Sequence, residues 1–550
     1  MNRTRYNIVI ISAVIIFIIS FGKEAYSKPN LQWKSIFHNG TASNYLTDMC
    51  LGDSGNIYVA YLAEGYVLRK ISPTGTLIWE REYSAGLGLI SEPKFLRYDT
   101  NGFIYITGDD FGVEILKYDL NGNLIWLRRF DDGVGFNSVG GMVIDSAGNC
   151  YLGIGHSAGL FNTKHYSIVK YNPKGDSVWV RIISGSQYYG AVSDIILDRE
   201  NNVIVTGVSN DLILHPTNST RTVKLNGKTG EVIWNNFYFK PLIWNSAYGI
   251  ALGCDKDNNV YVGATYSTFN KDGALLLKYS SSGNLIWTSL YYNLDSLCKI
   301  RDIVIDNSGN CYITGSETYL NRKMEDFYTN KIDSSGIILW NQKYGSSTVD
   351  ATDIPNRVVL DDKNNVYVVG SEGSVLIGTQ NYTSMTVIKY NNDGKEKWII
   401  KYMNDSLRFS LGNILLIDKY SNLIIGGIGR EGRGIYPNRE FDITILNYSQ
   451  ISSISNNSVN VHSDYKLFQN YPNPFNPLTK IQIDIKTSGN VMLNIYDISG
   501  KKVENLVNKK LSQGNYSFVW NANKFSSGVY FYNLFVNEKL IDSKKMILMK

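Results

Sequence analysis

Cysteine and histidine are scarce in this chain of 550 residues, which contains five of each. The cysteines form an odd set without a CxxC pair: Cys50, Cys150, Cys254, Cys298 and Cys311. Such a set predicts neither a disulfide framework nor a zinc ribbon, and we expect free thiols that pack as small apolar side chains. Only His156 and His165 are close in sequence, and no suitable third ligand lies nearby, whereas zinc takes three or four. We therefore predict no metal site.

A strong excess of either charge is also missing, since 54 Lys and Arg residues face 49 Asp and Glu. The charge is uneven along the chain, however. Residues 465–550 contain 12 Lys, no Arg and five acidic residues, a net charge of +7, whereas residues 28–464 have a net charge of −4. A mildly acidic body gives no support for nucleic-acid binding, which needs a basic surface.

Long apolar runs are absent as well, because nothing in the sequence approaches the roughly 20 residues that a membrane-spanning helix needs. The N-terminal run 8–21 has 14 residues, follows Arg3 and Arg5, and precedes small residues within 25–27. This order predicts a secretory signal peptide over residues 1–27. An uncleaved N-terminal anchor is the alternative. No cysteine lies near the cleavage point, which disfavours a lipoprotein.

Aromatic residues, in contrast, are abundant, with 39 Tyr, 21 Phe and 10 Trp. Eight tryptophans recur at intervals of 46 to 58 residues: Trp33, Trp79, Trp126, Trp179, Trp234, Trp287, Trp340 and Trp398. Before each of the last seven lies a turn rich in Asn, Ser and Gly, and another hairpin precedes that turn, most clearly over residues 302–315. Alternating apolar residues around such turns indicate antiparallel strands. Four strands in each unit of roughly 40–50 residues indicate propeller blades.

The ends of the repeat set the number of blades. Starting at Asp48, the sequence contains eight sets of inner, second and third strands, the last over residues 414–448. This last set has no Trp strand after it, and the Trp33 strand has no set before it. Joining the two closes the ring and hides strand edges that otherwise invite aggregation. The prediction is an all-β fold with an eight-bladed β-propeller over residues 31–449, closed by an N-terminal strand.

The repeats resemble the bacterial β-propeller repeats of the SBBP type. The likeness is carried by Gly175-Asp176-Ser177-Val178-Trp179-Val180-Arg181 and by residues 306–315, and it extends over about residues 31–450. The resemblance implies the propeller fold and says almost nothing about a ligand.

A second β-rich segment, residues 465–550, follows a Ser- and Asn-rich stretch over 450–464 that we predict to be a linker. Its motif residues are Tyr471, Pro472, Asn473, Pro474, Phe475, Asn476, Pro477, Asp497, Gly500, Gly528, Tyr530, Lys544 and Lys545. The segment resembles the type A C-terminal sorting domain of the type IX secretion system. That resemblance implies a small β-sandwich that directs the protein across the outer membrane and is usually cleaved afterwards. A generic accessory β-sandwich is the alternative.

Three motifs suggest chemistry, and we interpret each as structural. Gly155-His156-Ser157-Ala158-Gly159 matches the nucleophile elbow, but strand patterns flank it on both sides where the elbow needs a following helix. The run 226–234 resembles the tryptophan-docking motif of quinoprotein propellers, yet vicinal cysteines and a calcium-ligating set are missing. Turns such as 255–259 are too short for an EF-hand loop and lack its glutamate. We therefore predict no catalytic, cofactor-binding or metal-binding residues, no enzyme activity and no cofactor.

The connections between strands differ at the two ends of the blades. First-to-second and third-to-fourth turns are short and uniform and share one end, the turn face; the other connections share the opposite end, the loop face. Loops of the loop face vary most, and variable loops on a rigid scaffold are the usual place for binding. We expect the largest contribution to ligand binding from the loop of residues 429–440, which contains Arg430, Arg433, Tyr436 and Arg439. The alternative is a solvated loop whose arginines pair with Glu431 and Glu440.

These features favour an exported, non-catalytic binding protein that engages an unknown extracellular protein or glycan. The type IX secretion machinery of a Gram-negative bacterium would deliver it through the periplasm to the cell surface or the medium. The alternative is an exported propeller enzyme acting on polysaccharide or a quinone-linked substrate, which carboxylates converging in the central channel would favour. A structural role in the envelope is a third possibility. Nucleic acid and a transmembrane segment are not expected.

Overall fold

The computed structural model describes most of the chain and divides it into two compact units, Met1–Ser452 and Ser453–Lys550. The described residues are 28–37, 45–63, 65–83, 92–109, 112–131, 136–157, 164–186, 189–211, 215–238, 246–268, 272–291, 296–319, 325–345, 352–377, 380–403, 410–429, 441–450, 465–485, 487–497, 501–537 and 539–550. The predicted signal peptide and nearly all of the predicted linker lie outside them. Every regular element within these ranges is a β-strand. None of this part of the chain forms a helix that is long and apolar enough to cross a membrane.

In the first unit, the described strands form eight four-stranded antiparallel blades. Blades 1 to 4 consist of β2 (Tyr45–Leu51), β3 (Ile57–Leu62), β4 (Tyr66–Ile71) and β5 (Leu77–Tyr83); β6 (Glu92–Tyr98), β7 (Ile104–Asp109), β8 (Val113–Tyr118) and β9 (Leu124–Phe130); β10 (Phe136–Ile144), β11 (Cys150–Ser157), β12 (Lys164–Tyr171) and β13 (Ser177–Ser186); β14 (Tyr189–Leu197), β15 (Val203–Asp211), β16 (His215–Leu225) and β17 (Val232–Tyr238).

Blades 5 to 8 repeat this order, except that the outer strand of blade 8 comes from the N-terminal segment. Their strands are β18 (Ser246–Cys254), β19 (Val260–Ser267), β20 (Asp272–Tyr279) and β21 (Leu285–Tyr291); β22 (Ser296–Ile305), β23 (Cys311–Tyr319), β24 (Glu325–Ile332) and β25 (Ile338–Tyr344); β26 (Ile354–Leu360), β27 (Val366–Ile377), β28 (Gln380–Tyr390) and β29 (Glu396–Tyr402); β30 (Ser410–Ile417), β31 (Leu423–Gly429), β32 (Asp442–Ser449) and β1 (Asn30–Phe37).

The burial of each strand follows its place in the blade. Second and third strands such as β31 and β8 are buried along their whole length, because a neighbouring blade covers each of their two faces. Their sequences are accordingly nearly continuous runs of β-branched, aromatic and other apolar residues, which pack well on a pleated surface. Outer strands such as β21 expose several residues. The hydrophobic core therefore lies between the blades.

The ring closes at blade 8, as the sequence predicts. Strand β1 pairs antiparallel with β32, from Leu31 opposite Tyr448 to Phe37 opposite Ile443. The inner strands contact one another in sequence around the ring, and β30 contacts β2. The predicted eight-bladed propeller with an N-terminal closing strand is confirmed.

Each inner strand contains a bulge in its pairing with the second strand, for example between Ile300 and Asp302. The same irregularity occurs in all eight blades. The residue after the bulge therefore occupies an equivalent position around the central channel in every blade.

The second unit is a small β-sandwich, again as predicted. One sheet contains β33 (Tyr465–Leu467), β34 (Leu478–Ile485) and β37 (Gly514–Asn521). The other has the order β36 (Lys502–Leu511), β35 (Gly489–Asp497), β38 (Gly528–Val536) and β39 (Lys539–Leu548). Apolar residues from both sheets meet in one core that contains Trp520 and Tyr532, both fully buried.

Candidate functional site

The turn face is built from hydrogen bonds within each turn. In the turn between β22 and β23, the side-chain Oδ1 of Asp306 accepts bonds from the backbone N–H groups of Ser308 and Asn310, both at 2.9 Å. Its Oδ2 accepts bonds from the Asn310 amide at 2.7 Å and the Tyr312 hydroxyl at 3.2 Å. Equivalent bonds hold Asp145, Asp255 and Asp361. These aspartates stabilise the turns, as expected for residues that bond their own backbone.

The repeated tryptophans join each blade to the next at this same face. Trp234 Nε1 and Lys224 Nζ both donate to the Ser281 carbonyl of the following blade, at 3.1 and 3.2 Å. The indole ring lies against Gly283, where an added Cβ would come within 2.6 Å of the ring. The φ of Gly283 is +90°, a conformation that favours glycine. The quinoprotein-like sequence run 226–234 is thus part of a packing arrangement between blades.

Blade 8 has no third-to-fourth turn, because its outer strand comes from the other end of the chain. The side chain of Gln450 takes the place of that turn. Its Oε1 accepts bonds from Lys389 Nζ at 2.9 Å and the Tyr367 hydroxyl at 2.8 Å, and its Nε2 donates to the Ser421 carbonyl at 2.9 Å. The sequence assigns Gln450 to the linker, whereas here it ties blade 7 to blade 8.

In the central channel, the residue after the bulge is charged in four blades: Asp48, Asp194, Asp302 and Arg357. Each aspartate bridges two inner strands. Asp194 accepts from its own strand at Ile195 N and from blade 5 at Leu252 N, both at 2.8 Å. In the same way, Asp302 accepts from Ile303 N of its own strand and from Val358 N of blade 7, each at 3.0 Å. Asp48 links blade 1 to blade 2 through Leu96 N at 3.0 Å.

These four charges also interact with one another across the channel. The pKa of Asp194 is raised to about 6, mainly by burial and also by the charge of Asp302, while its backbone hydrogen bonds and Arg357 oppose the shift. Burial likewise raises the pKa of Asp302. Burial disfavours the charge on Arg357, but Asp302, Asp48 and Asp194 together raise the pKa of its guanidinium. The carboxylates therefore come within electrostatic reach of one arginine, although both oxygens of each are bonded to backbone amides.

Metal ligands are not brought together in the part of the chain that the structure describes. No three His, Cys, Asp or Glu side chains there come close enough to hold an ion. Gly155, His156 and Ser157 of the nucleophile-like motif lie at the end of β11, where Ser157 pairs with Phe136. This part of the motif is therefore extended strand.

At the loop face, buried carboxylates join neighbouring blades. The hydroxyl of Tyr344 at the end of β25 donates to Glu372 Oε2 of blade 7 at 2.7 Å, and Lys401 Nζ binds Glu372 Oε1 at 2.6 Å. Tyr83 makes a similar contact with Glu114 at 3.4 Å. These residues end just below the variable loops and fix the strands from which the loops emerge.

The predicted ligand-binding residues Arg430, Arg433, Tyr436 and Arg439 lie outside the described residues, so their role stays a prediction. The residues on either side of the predicted loop are described. Phe441 begins the approach to β32, and its ring lies 5.7 Å from that of Tyr45, the first residue of β2. Tyr45 is 46% exposed. An exposed tyrosine thus lies at the loop face beside one anchor of this loop.

The motif residues of the second unit divide into buried and exposed groups. Phe475 is buried, with its ring 5.5 Å from that of Trp520, and Tyr530 packs against Trp520 at 5.3 Å. The Asn473 side chain accepts a bond from Ile547 N at 2.8 Å. Tyr471 is 81% exposed. Cis peptide bonds precede Pro472 and Pro474.

The remaining motif residues lie at the edges of this unit. Asp497 accepts a bond from Lys501 N at 3.0 Å, and Lys544 pairs with Asp542 at 3.3 Å. The Lys545 side chain is exposed, and Gly528 begins β38. Asn476 is exposed, and the Pro477 carbonyl accepts a bond from Ala522 N at 2.9 Å. Gly500 lies outside the described residues.

Fold and site together define an eight-bladed β-propeller linked in sequence to a separate β-sandwich. Residues 469–549 match the family described as the secretion system C-terminal sorting domain. The β-sandwich is therefore a type IX sorting domain, which implies contact with that secretion machinery and export to the cell surface or the medium. The predicted sorting domain is confirmed, whereas the SBBP-type resemblance of the propeller stays a prediction.

No curated protein matches this chain. A solved ulvan lyase of polysaccharide lyase family PL25 is similar at 8% identity with a TM-score of 0.42, over 73% of this chain and 94% of the lyase. The polysaccharide lyase Uly1 is 11% identical with a TM-score of 0.40, over 64% and 89% of the two chains. A gluconolactonase from Xanthomonas campestris is 10% identical with a TM-score of 0.29, over 50% and 84%. These scores are low, and we draw no functional conclusion from them.

Proposed function

We propose that this protein is an exported, non-catalytic binding protein whose propeller, of the SBBP repeat type, engages an extracellular protein or glycan through its loop face. The observation that carries the proposal is the difference between the two faces. At the turn face, polar side chains bond their own turn or the next blade. At the loop face, the strands end in connections of unequal length and composition, which suits recognition on a rigid scaffold.

The partner proposed first is an anionic glycan or an acidic protein surface. Three arginines and a tyrosine fall within residues 429–440, in a body with a net charge of −4. Arginine and tyrosine often contribute most of the energy of an interface, through forked hydrogen bonds and rigid apolar area. Exposed Tyr45, packed on Phe441, adds an aromatic surface beside that loop.

A propeller enzyme acting on polysaccharide is the second candidate. Asp194 and Asp302 favour it, because raised carboxyl pKa values are common among general acids. Against this role, both carboxylates already accept two backbone hydrogen bonds each. If the channel were catalytic, the mature chain would cleave a polysaccharide, and Asp194→Asn would abolish that cleavage.

The test is a glycan-array and extracellular-protein screen with the mature chain, followed by affinity measurements on paired variants. Tyr45→Ala should weaken binding about ten-fold or more, as expected for an interface tyrosine. Tyr420→Ala is the matched control, since Tyr420 is 62% exposed in a turn of blade 8 on the opposite face. Replacing Arg430, Arg433, Tyr436 and Arg439 together by Ala should also reduce the salt dependence of binding. Equal effects of Tyr45→Ala and Tyr420→Ala would contradict binding at the loop face.

A further inference from the structure

The sorting domain exposes an apolar surface that its own fold does not use. In β34, side chains alternate between the core and the outside, so that Thr479, Ile481 and Ile483 are buried while Lys480 and Gln482 are exposed. Ile481 and Ile483 pack into the sandwich core. The outer face of this three-stranded sheet has no such partner among the described residues of the unit.

Four residues on that outer face form what we call the Tyr471 patch: Tyr471, Leu478, Lys480 and Val519. Tyr471 and Lys480 exchange both backbone hydrogen bonds, at 2.9 and 3.0 Å, and Lys480 pairs with Val519 on β37. Directly paired residues of antiparallel strands point to the same face of a sheet. The three therefore form a row across the face, and Leu478 lies two residues from Lys480 on the same strand.

The patch contains most of the exposed apolar side chains of this unit. Tyr471 is 81% exposed, Val519 59% and Leu478 47%. Among the described residues after 464, Met549 is the one other large apolar side chain that is similarly exposed. Single exposed apolar residues are ordinary, but a contiguous group of them marks an interaction surface.

Folding does not account for the exposed tyrosine. Neighbouring motif residues have structural roles, since Phe475 fills the core and Asn473 bonds to β39. The Tyr471 side chain, in contrast, makes no hydrogen bond or ring contact with any described residue, and Lys480 makes no ion pair there. A large aromatic side chain among apolar neighbours is typical of an interface centre, and a lysine beside it is typical of the polar rim.

We propose that the Tyr471 patch is the surface by which the secretion machinery recognises this domain. The partner is a protein component with an apolar cleft for Tyr471, Leu478 and Val519 and an acidic group opposite Lys480. Two observations select this occupant. The domain belongs to the family that directs secretion, and its net charge of +7 over residues 465–550 favours an acidic partner.

The test measures export of the full chain in a bacterium that has the type IX system, with a chain lacking residues 465–550 as the zero level. Tyr471→Ala and Lys480→Glu should each lower the exported fraction about ten-fold or more, and the precursor should accumulate in folded form. Tyr471→Phe should export normally, because the hydroxyl makes no bond. Lys510→Glu is the matched control, with the same charge change at an exposed position of β36 in the other sheet.

A photo-crosslinking residue in place of Gln482, which is exposed two residues from Lys480 on the same face of β34, identifies the occupant, with the same residue at position 510 as its control. Support requires an adduct with an outer-membrane protein whose deletion blocks export of the unchanged chain. Thermal melting and protease resistance of each variant must match the parent, so that loss of export is not loss of folding. Normal export of both variants would refute the proposal, as would an adduct only with a second copy of the chain or with lipopolysaccharide.

Discussion

The turn face and the loop face of the propeller differ in where their described polar side chains form hydrogen bonds. At the turn face, Trp234 and Lys224 share one carbonyl of the next blade, and Asp306 bonds four groups of its own turn. Among the described residues of the loop face, such bonds are made mainly by buried carboxylates like Glu372, just below the loops. Stability and sequence variation are thus separated onto opposite ends of the same strands.

This separation lets the loops vary while the turns hold the ring together. A turn that bonds the next blade cannot change without weakening the ring, whereas a loop beyond the last ladder bond can change at little cost. Substitutions at the turn face and at the closing strand should therefore reduce stability. Substitutions of exposed side chains at the loop face should change binding and leave melting unaltered.

The largest loss of stability is expected from deleting β1, residues 30–37. The deletion exposes the edge of β32 and removes the packed Trp33 and Phe37, and loss of one such aromatic side chain typically costs about 3–5 kcal/mol. The measurement is the melting temperature of residues 28–550, with Trp33→Ala as the smaller, side-chain-only change. An unchanged melting temperature after the deletion would mean that β1 does not close the ring.

A smaller loss is expected from Gly283→Ala at the turn face. The new methyl group would meet the Trp234 ring at 2.6 Å and would occupy a backbone position with a φ of +90°. Overpacking typically costs about 1–3 kcal/mol, in addition to roughly 1–2 kcal/mol for the left-handed backbone.

Gly309→Ala is the matched control for that change. Gly309 has a φ of +79°, but the nearest atom to an added Cβ is 3.2 Å away. The difference between the two variants in denaturant unfolding isolates the contact with tryptophan. Equal losses would show that the indole does not depend on this glycine.

Gln450→Ala should cost about 1–2 kcal/mol, because Lys389 and Tyr367 lose an acceptor for which blade 8 has no turn carbonyl to substitute. Gln32→Ala is the control, since Gln32 is an exposed glutamine in the same blade whose one side-chain bond among the described residues is to the Asn30 carbonyl. That control should change stability by less than about 0.5 kcal/mol. If both variants melted alike, Gln450 would not act as the joint between blades 7 and 8.

The smallest expected effect is the pH dependence of stability, which should differ between Asp194 in the channel and Asp255 at the turn face. The pKa of Asp194 is raised to about 6, above the ordinary value of about 3.9. Its stabilising contribution is therefore fully present below about pH 4 and is lost as pH rises through 6. Burial opposes the charge of Asp255, but bonds from Asn259 and Asp257 and the charge of Lys278 lower its pKa. Its contribution is present above about pH 4 and is lost as pH falls further.

Free energies of unfolding of the parent, Asp194→Asn and Asp255→Asn between pH 3 and pH 7 test this contrast. Relative to Asp194→Asn, the parent should lose stability as pH rises. Relative to Asp255→Asn, the parent should gain stability as pH rises. The same direction of change at both sites would contradict the opposite roles of burial and turn hydrogen bonding.

The sequence by itself determined the strands, the eight blades, the closing strand and the sorting domain. Each of these depends on residues within one repeat or one motif: alternation around Asn and Gly turns, a recurring tryptophan, or the run from Tyr471 to Pro477. Such local patterns fix secondary structure because turn chemistry and strand alternation act over a few residues. The unpaired Trp33 strand then left one way to complete the ring.

Only the tertiary structure decided which distant residues act together. Asp48, Asp194, Asp302 and Arg357 come from four blades, and a bulge in each inner strand places them at the same position of the channel. One inserted residue reverses the face to which the following side chains point. The position of these four charged side chains in the channel could therefore not be predicted from a sequence pattern. The role of Gln450 and the exposure of the Tyr471 patch depend in the same way on what the fold places beside them, because burial and partnership are properties of neighbours in space.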